Sequence, residues 1–372
     1  MGREYKLKRH EIVSYLKEKI ISGEFYSGSY LPLRTDLIRE CKASNVTVQR
    51  AINQLTAEGF LRSCGSKGIM VSNYPPNKYH IGVLMPAGSD RNSDTKYHAV
   101  NQALDCIEQN GSHISFVRYQ ISKETSRNDD EFTKLIYDLK EHLLAGVILP
   151  FAIPERLLIQ LDGYPVIQVE PQNARVIRAL SFNHNYVMMT DIAIEQLIKA
   201  GAKKIAVIMG TGMPHFFIHE IEKSLCSNPN IVTKPEWLQS LSANLRDGIW
   251  ARYLLKLLFS PEFKEHPDGL IILNENLLHP IMNALRDLNI TIGKDIKICS
   301  HCNIPSANAA CSDVLFLAFD WLDVFNKAIR YMKNFSQLED SRFGKEFILP
   351  PKTVDNFVQQ SISEIKQPQK EK

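Results

Sequence analysis

No stretch of eighteen consecutive apolar residues occurs in the 372-residue chain, and the N-terminus begins Gly2-Arg3-Glu4-Tyr5-Lys6 without an apolar core. Neither a membrane-spanning helix nor a secretory leader is therefore expected, and the protein reads as soluble and cytoplasmic. Cysteine is sparse: seven residues, an odd number, are scattered from Cys41 to Cys311. That spacing is no disulfide framework and suits a reducing compartment. The one C-x-x-C, Cys299-Ser300-His301-Cys302, has no second pair nearby, and a tetrahedral zinc site wants four ligands, so buried thiols are expected there and no metal. Also missing are the G-x-S-x-G elbow, the G-x-x-x-x-G-K-[ST] loop, G-x-G-x-x-G and H-E-x-x-H. His215, His219, Asp313 and Asp320 stand apart from any such motif, so no enzymatic activity and no cofactor are expected.

What is present is length and an uneven charge. With 44% hydrophobic residues the chain can bury at least two cores. The formal net charge is only +3, but residues 1–76 hold 12 Lys/Arg against 7 Asp/Glu, and the remainder 32 against 34. The basic excess is confined to one end, where a polyanion would be met.

That end contains Ala43-Ser44-Asn45-Val46-Thr47-Val48-Gln49-Arg50-Ala51-Ile52-Asn53-Gln54-Leu55. Val48, Ala51, Ile52 and Leu55 recur at helical spacing, while Asn45, Thr47, Gln49 and Arg50 project elsewhere, so an amphipathic helix with a polar face is predicted. Ser44 is its N-cap, and the first turn is where a helix entering a DNA groove meets bases and phosphates. A helix over 8–22 with Ile12, Val13, Leu16 and Ile20 precedes it. Leu31-Pro32-Leu33-Arg34 leads a short helix through Leu37 and Ile38. Glu58-Gly59-Phe60-Leu61 closes the recognition-like helix with a glycine C-cap, and Gly65-Ser66-Lys67-Gly68-Ile69-Met70-Val71 reads as a turn feeding a strand.

This order of motifs, over residues 8 to 72, resembles the winged helix-turn-helix of GntR-family transcription factors. The resemblance implies a DNA face of Arg34, Ser44, Asn45, Thr47, Gln49 and Arg50, with Lys67 and Gly68 at the wing tip. Arginines often stand in relatives where this chain has Asn45 and Gln49, which shifts the contact from phosphates toward amide-to-base hydrogen bonds; both amides would read adenine. Some relatives carry an aminotransferase-like module, for which the 294 residues after position 78 are too few.

The winged domain is placed at 1–73 and a linker at 74–78, where Pro75 and Pro76 bar a helix across the join. Beyond it, short apolar runs (80–85, 114–117, 146–150, 165–169, then 204–208, 269–273 and 295–299, with a further strand near 231–233) alternate with amphipathic helices. One of these is predicted near 216–226 and another from about 244 to 259. This is an α/β pattern of parallel strands covered on both faces, in two sets of similar size.

The segments Ala179–His184 with the helix to Lys199, Lys203–Ile208, Pro267–Glu275 and Gly293–Ile298 resemble the LacI/GalR-type sensor domain over about 79 to 356. This implies a periplasmic-binding-protein-like (type I) fold of two lobes spanning 79–360, with hinge crossings near 182–184, 302–304 and 319–321 and a polar tail at 361–372. It implies also a homodimer, mainly through the first lobe, on a pseudo-palindromic double-stranded operator. A small-molecule effector, sugar-like in the family, would sit at the strand ends among Asp94, Tyr97, Phe151, Asn183, Phe217, Trp250, Glu275 and His301.

The chain departs from the family at the residues that grip sugar. Phe217 stands where an arginine is usual, Asn183 where an acid is usual, Asn274-Glu275 replaces N-D, and Ser300-His301-Cys302-Asn303 replaces G-x-D. Bidentate charged bonds to a sugar are thereby weakened. Either the effector is less polar and stacks on aromatics, or the pocket has lost its ligand; Phe217 either meets the effector or packs in the core. The reading is a ligand-responsive transcription regulator, a repressor of a carbohydrate-related or other catabolic operon. The alternative is a small-molecule-binding protein whose winged domain contacts another protein.

Overall fold

The computed structural model describes residues 8–87, 94–121, 130–170, 177, 179–211, 213, 215–242, 248–305, 313–333 and 346–354. Its N-terminal part runs α1 (Arg9–Ile21), α2 (Arg34–Glu40), α3 (Asn45–Ala57), then the antiparallel ribbon β1 (Leu61–Ser63) and β2 (Ile69–Val71). The apolar stripe of α1 (Ile12, Val13, Leu16, Ile20) and that of α3 (Val48, Ala51, Ile52, Leu55) close on Leu37, Phe60 and Val71 to form one buried cluster. Gly59, at φ 86°, takes the left-handed conformation past the end of α3, and the reversal lets the Phe60 N–H reach the Leu55 carbonyl at 2.9 Å. The wing tip is a short 3-10 turn, Gly65–Lys67.

Pro76 opens α4 (Pro76–Tyr79), a single turn that runs directly into β3 (His80–Pro86). The prolines do keep a helix from crossing the join, yet within the expected linker one begins at Pro76, since the first helical position needs no N–H.

The body continues with α5 (Thr95–Gln109), β4 (Ser115–Ile121), α6 (Asp130–Lys140), β5 (Gly146–Leu149), α7 (Glu155–Leu158) and β6 (Val166–Val169). There follow β7 (Leu180–His184), α8 (Tyr186–Lys199), β8 (Ile205–Gly210), α9 (His215–Ser227), β9 (Leu238–Leu241) and α10 (Ile249–Leu258). Last come β10 (Gly269–Ile272), α11 (Leu278–Asp287), β11 (Lys297–Ile304), β12 (Val314–Asp320), α12 (Trp321–Lys333), β13 (Glu346–Leu349) and β14 (Lys352–Val354).

Contacts divide the chain into two compact units. One takes in Met1–Pro86, Ile107–Leu180 and Ala328–Lys345, the other Ala87–Cys106, Ser181–Lys327 and Glu346–Lys372. Residues 302–304 and 319–321, expected as hinge crossings, lie within the second unit, and a boundary at 180/181 adjoins the expected crossing at 182–184.

In the first unit the parallel strands run β6-β5-β3-β4. Gly146 is required there, because a Cβ on it would come within 2.5 Å of the Pro165 carbonyl oxygen. In the second unit a six-stranded sheet runs β14-β12-β11-β10-β8-β9, parallel except for β14. Alternate residues of β8 face opposite cores: Ala206 and Ile208 pack under α10 and α11, Val207 and Met209 under α8 and α9. Burial on both faces explains why these strands are apolar without alternation.

Two strand expectations change. Residues 231–233 form only an isolated bridge, Lys204↔Val232, and the edge strand is β9, after the 3-10 turn Pro235–Trp237. Burial of Trp237 outweighs the β-branched Ile231-Val232-Thr233 run, since a large aromatic removes the most apolar surface from water. Strands β13, parallel to β7, and β14, antiparallel to β12, add to the expected set. Of the helix expected over 244–259, α10 forms the part from Ile249; residues 243–247 and the tail 361–372 lie outside the described residues.

The core of the N-terminal domain yields a stability prediction. Leu55→Ala removes a fully buried side chain and should cost about 2–5 kcal/mol, whereas Val46→Ala, on an exposed position of the same helix, should stay within about 0.5 kcal/mol. Urea titration followed by exchange protection of the α1 and α3 amides reads both.

Candidate functional site

Ser44 caps α3 as its sequence suggests: its hydroxyl accepts from the Thr47 N–H at 3.2 Å and lies 2.8 Å from Thr47 Oγ1. Both hydroxyls are thus engaged in the cap. Asn45 and Arg50 are exposed on the first turns, Arg34 is exposed at the start of α2, and Lys67 and Gly68 are exposed at the wing tip. Gln49 differs from its neighbours. Its Nε2 donates to Asn53 Oδ1 at 2.7 Å, and its Oε1 is shielded from solvent without a hydrogen-bond partner. Two residues missing from the sequence reading belong to the same surface: Val46, 59% exposed, and Leu33, 73% exposed. Val46 lies off the apolar stripe of α3, which was a visible signal. An exposed apolar group beside polar ones suits a thymine methyl as well as it suits a protein.

In the second unit the parallel strands end together, and the polar side chains gather there. Glu275, 2% exposed, opens the turn after β10, and its Oε2 accepts from Asn303 N at 2.9 Å and Asn303 Nδ2 at 3.1 Å. Asn303 Oδ1 in turn accepts from Trp321 Nε1 at 2.9 Å. A buried carboxylate needs such donors, and here one residue supplies two. Next to Glu275, Asn276 Oδ1 accepts from the Thr95 N–H at 3.0 Å. The carboxylate of Asp94 accepts from the N–H groups of Lys96 and Tyr97, which makes it the cap of α5 and places Tyr97 on that helix's first turn. Lys96 Nζ stands 5.1 Å from the centre of the Trp321 ring, within cation–π range.

An aromatic cluster adjoins these bonds. His184 stacks on Phe319 at 3.9 Å, with Trp321 edge-on at 5.7 Å. Tyr186 meets Phe319 at 5.2 Å, Phe217 at 6.0 Å and His301 at 6.3 Å, and His301 lies 5.1 Å from Phe319. Of the sequence-predicted effector residues, the structure therefore brings Phe217, Glu275 and His301 into one neighbourhood, and Asp94 and Tyr97 join it through Thr95 and Asn276. Asn183 is on β7 beside His184. Trp250 is elsewhere in its surroundings: 56% exposed on α10, it meets Tyr253 at 6.3 Å. Phe151 belongs to the first unit. His184 and Phe319 are expected only at hinge crossings and not among the effector residues, and Tyr186 and Lys96 carry no motif; strand ends were the available signal.

The C-x-x-C pair is settled by geometry. On strand β11, residues three apart face opposite sides, and Cys299 lies in the core under α8 and α9 while Cys302 lies in the core under α10 and α11. Burial pushes the Cys299 thiol up to about 12 and raises that of Cys302 as well. The two cannot share a metal or a disulfide. Among the described residues no group of three or more His, Cys, Asp or Glu is placed to hold a metal ion, and no helix is long and apolar enough to cross a membrane. Asp320 caps α12 and pairs with Lys352 at 2.6 Å.

Comparison with known proteins follows this division. Residues 8–71 match the family "Bacterial regulatory proteins, gntR family". A curated relative, the uncharacterized HTH-type transcriptional regulator YdfD of Bacillus subtilis (strain 168), is 35% identical over 216 residues, 55% of this chain and 39% of that protein. The chain thus spans about two fifths of the length of that relative. Among solved structures, a LacI family transcriptional regulator from Mycobacterium smegmatis is similar at TM-score 0.54 and 15% identity, over 74% of this chain and 97% of that one. The Lac repressor dimer bound to operator and the anti-inducer ONPF is similar at TM-score 0.55 and 14% identity, over 75% and 93%. Residues 8–71 accordingly form a GntR-type winged helix-turn-helix, joined to an α/β region with the fold of LacI-type regulators.

Proposed function

We propose that the protein is a cytoplasmic, non-enzymatic, ligand-responsive regulator that binds an operator as a homodimer and represses a catabolic operon. The observation that carries this reading is the N-terminal surface: a capped helix start and an adjoining helix and wing that hold Arg34, Asn45, Arg50 and Lys67 in solvent, on a domain matching a family of bacterial regulators. Cations and amides held there meet phosphates and base edges. The exposed Leu33 and Val46 support a second reading, in which this domain docks on a protein; a gel shift with random duplex DNA separates the two.

Tyr186 and Phe217, the half-exposed edge of an otherwise buried aromatic cluster, support an effector with a flat or apolar face, stacked rather than gripped by charge. Glu275 contributes through Asn303, whose orientation it fixes. For the dimer, support comes from the relative described as a Lac repressor dimer and from α10, whose buried face is Ala251, Leu255 and Leu258 while Trp250, Tyr253 and Leu257 are 56%, 55% and 58% exposed. Three large apolar groups on one helix face are more than scattered exposure, and a second copy would cover them, which sets this interface in the second unit and not, as the family resemblance implies, mainly in the first lobe.

Three outcomes are expected. Arg34→Ala weakens binding to all duplexes alike and flattens the salt dependence by about 1 unit, as filter binding at several salt concentrations reads. Phe217→Ala abolishes the thermal shift given by a metabolite that stabilises the wild type, a shift worth about 2.7 kcal/mol at a hundred times the dissociation constant, while affinity for DNA without metabolite is unchanged. Tyr253→Glu with Leu257→Glu converts the dimer to a monomer in sedimentation; a dimer that persists in the double variant moves the interface away from α10.

A further inference from the structure

The winged domain and the first parallel strands share one compact unit, and the contact that joins them is chemically specific. Lys17, on α1, is 4% exposed. Its ammonium lies 2.9 Å from Glu58 Oε2, 3.0 Å from Glu141 Oε2 and 3.0 Å from the Glu141 carbonyl oxygen. An ammonium has three N–H bonds, and three acceptors stand around it. The Phe60 ring covers it at 5.4 Å. Glu58 is the C-cap of α3, and Glu141 follows the last residue of α6, so the cation bridges two helix ends, where carbonyl dipoles favour positive charge.

The corner after α6 is shaped for this. His142 takes φ 56°, the Leu143 N–H returns to the Asp138 carbonyl at 2.8 Å and the His142 N–H to Leu139 at 3.1 Å, the pattern of a Schellman stop. Leu143, the apolar residue that such a stop ordinarily folds back on its own helix, packs against the winged core. A second contact lies at the join itself: Tyr74 stacks on His113 at 3.7 Å and 15°, and Lys333 stands over Tyr79 at 5.4 Å.

We propose that the α6 corner, through Glu141 and Leu143, is a seat for the winged domain, and that Lys17 is the positioning residue that fixes the direction of α3 from that seat. The winged domain is then docked rather than tethered, and the angle at which α3 is presented is set by the first strands and their helices. The orienting role rests on the DNA-reading proposal above; the docking does not.

The test uses the full-length protein. Glu141→Lys places two cations against each other on a residue whose side chain is 40% exposed, so the winged core is untouched; Leu143→Ser is the independent second variant. Hydrogen exchange read by mass spectrometry should rise roughly tenfold or more in the peptides over 74–79 and 139–145, with α1 and α3 as protected as before. Duplexes selected from a random library should carry one half-site spacing with the wild type and several with either variant. Unchanged exchange at the join in both variants overturns the seat. Faster exchange with a single retained spacing overturns the orienting role of Lys17. If neither wild type nor variant selects DNA, the regulator reading fails, and exchange alone decides the docking.

Discussion

A parallel sheet covered on both faces leaves little room for polar side chains along its strands. The six residues of β8 and the four of β10 are all buried, and polar groups concentrate toward the strand ends: Asn274 and Glu275 after β10, Ser300, His301 and Asn303 from the middle of β11 onward. Every strand of the parallel set stops on the same side, so the groups meet there without any local sequence signal. What then holds them is a short chain of bonds from Glu275 through Asn303 to Trp321. A carboxylate taken out of water without those donors would cost several kcal/mol. The arrangement of the aromatic cluster depends on this anchoring, since Trp321 stands against His184 and His184 against Phe319.

The parts of the fold legible in the sequence are those with short-range causes. Ser44 caps α3 because its hydroxyl reaches a backbone N–H three residues on, and Gly59 ends it because the position past the C-cap takes a positive φ, which glycine adopts without strain. The alternation of apolar runs and amphipathic helices announced the parallel strands. Lys17, by contrast, sits at a helical position between apolar neighbours, and its partner Glu141 is 124 residues away; nothing local marks the pair. Likewise β13 and β14 are short and carry a mixed pattern, so their places are dictated by the strands they join.

The candidate residues Phe217, Glu275 and His301 come together because Phe217 and Glu275 follow the ends of β8 and β10 and His301 lies in the second half of β11. Trp250 shows the limit of helical periodicity, which tells which residues share a face but not which face meets a neighbour. On α10 the smaller and aliphatic Ala251, Leu255 and Leu258 are buried, and the two largest aromatics of the helix are left outside.

The bond between Gln49 and Asn53 bears on what α3 can offer a duplex under the proposed DNA reading. Gln49 can then pair with both adenine atoms only after rotating to bring its shielded Oε1 into solvent, which breaks the bond to Asn53 at a cost of about 1 kcal/mol. That cost is the same whichever base pair follows. It weakens contact through Gln49 without favouring one base over another.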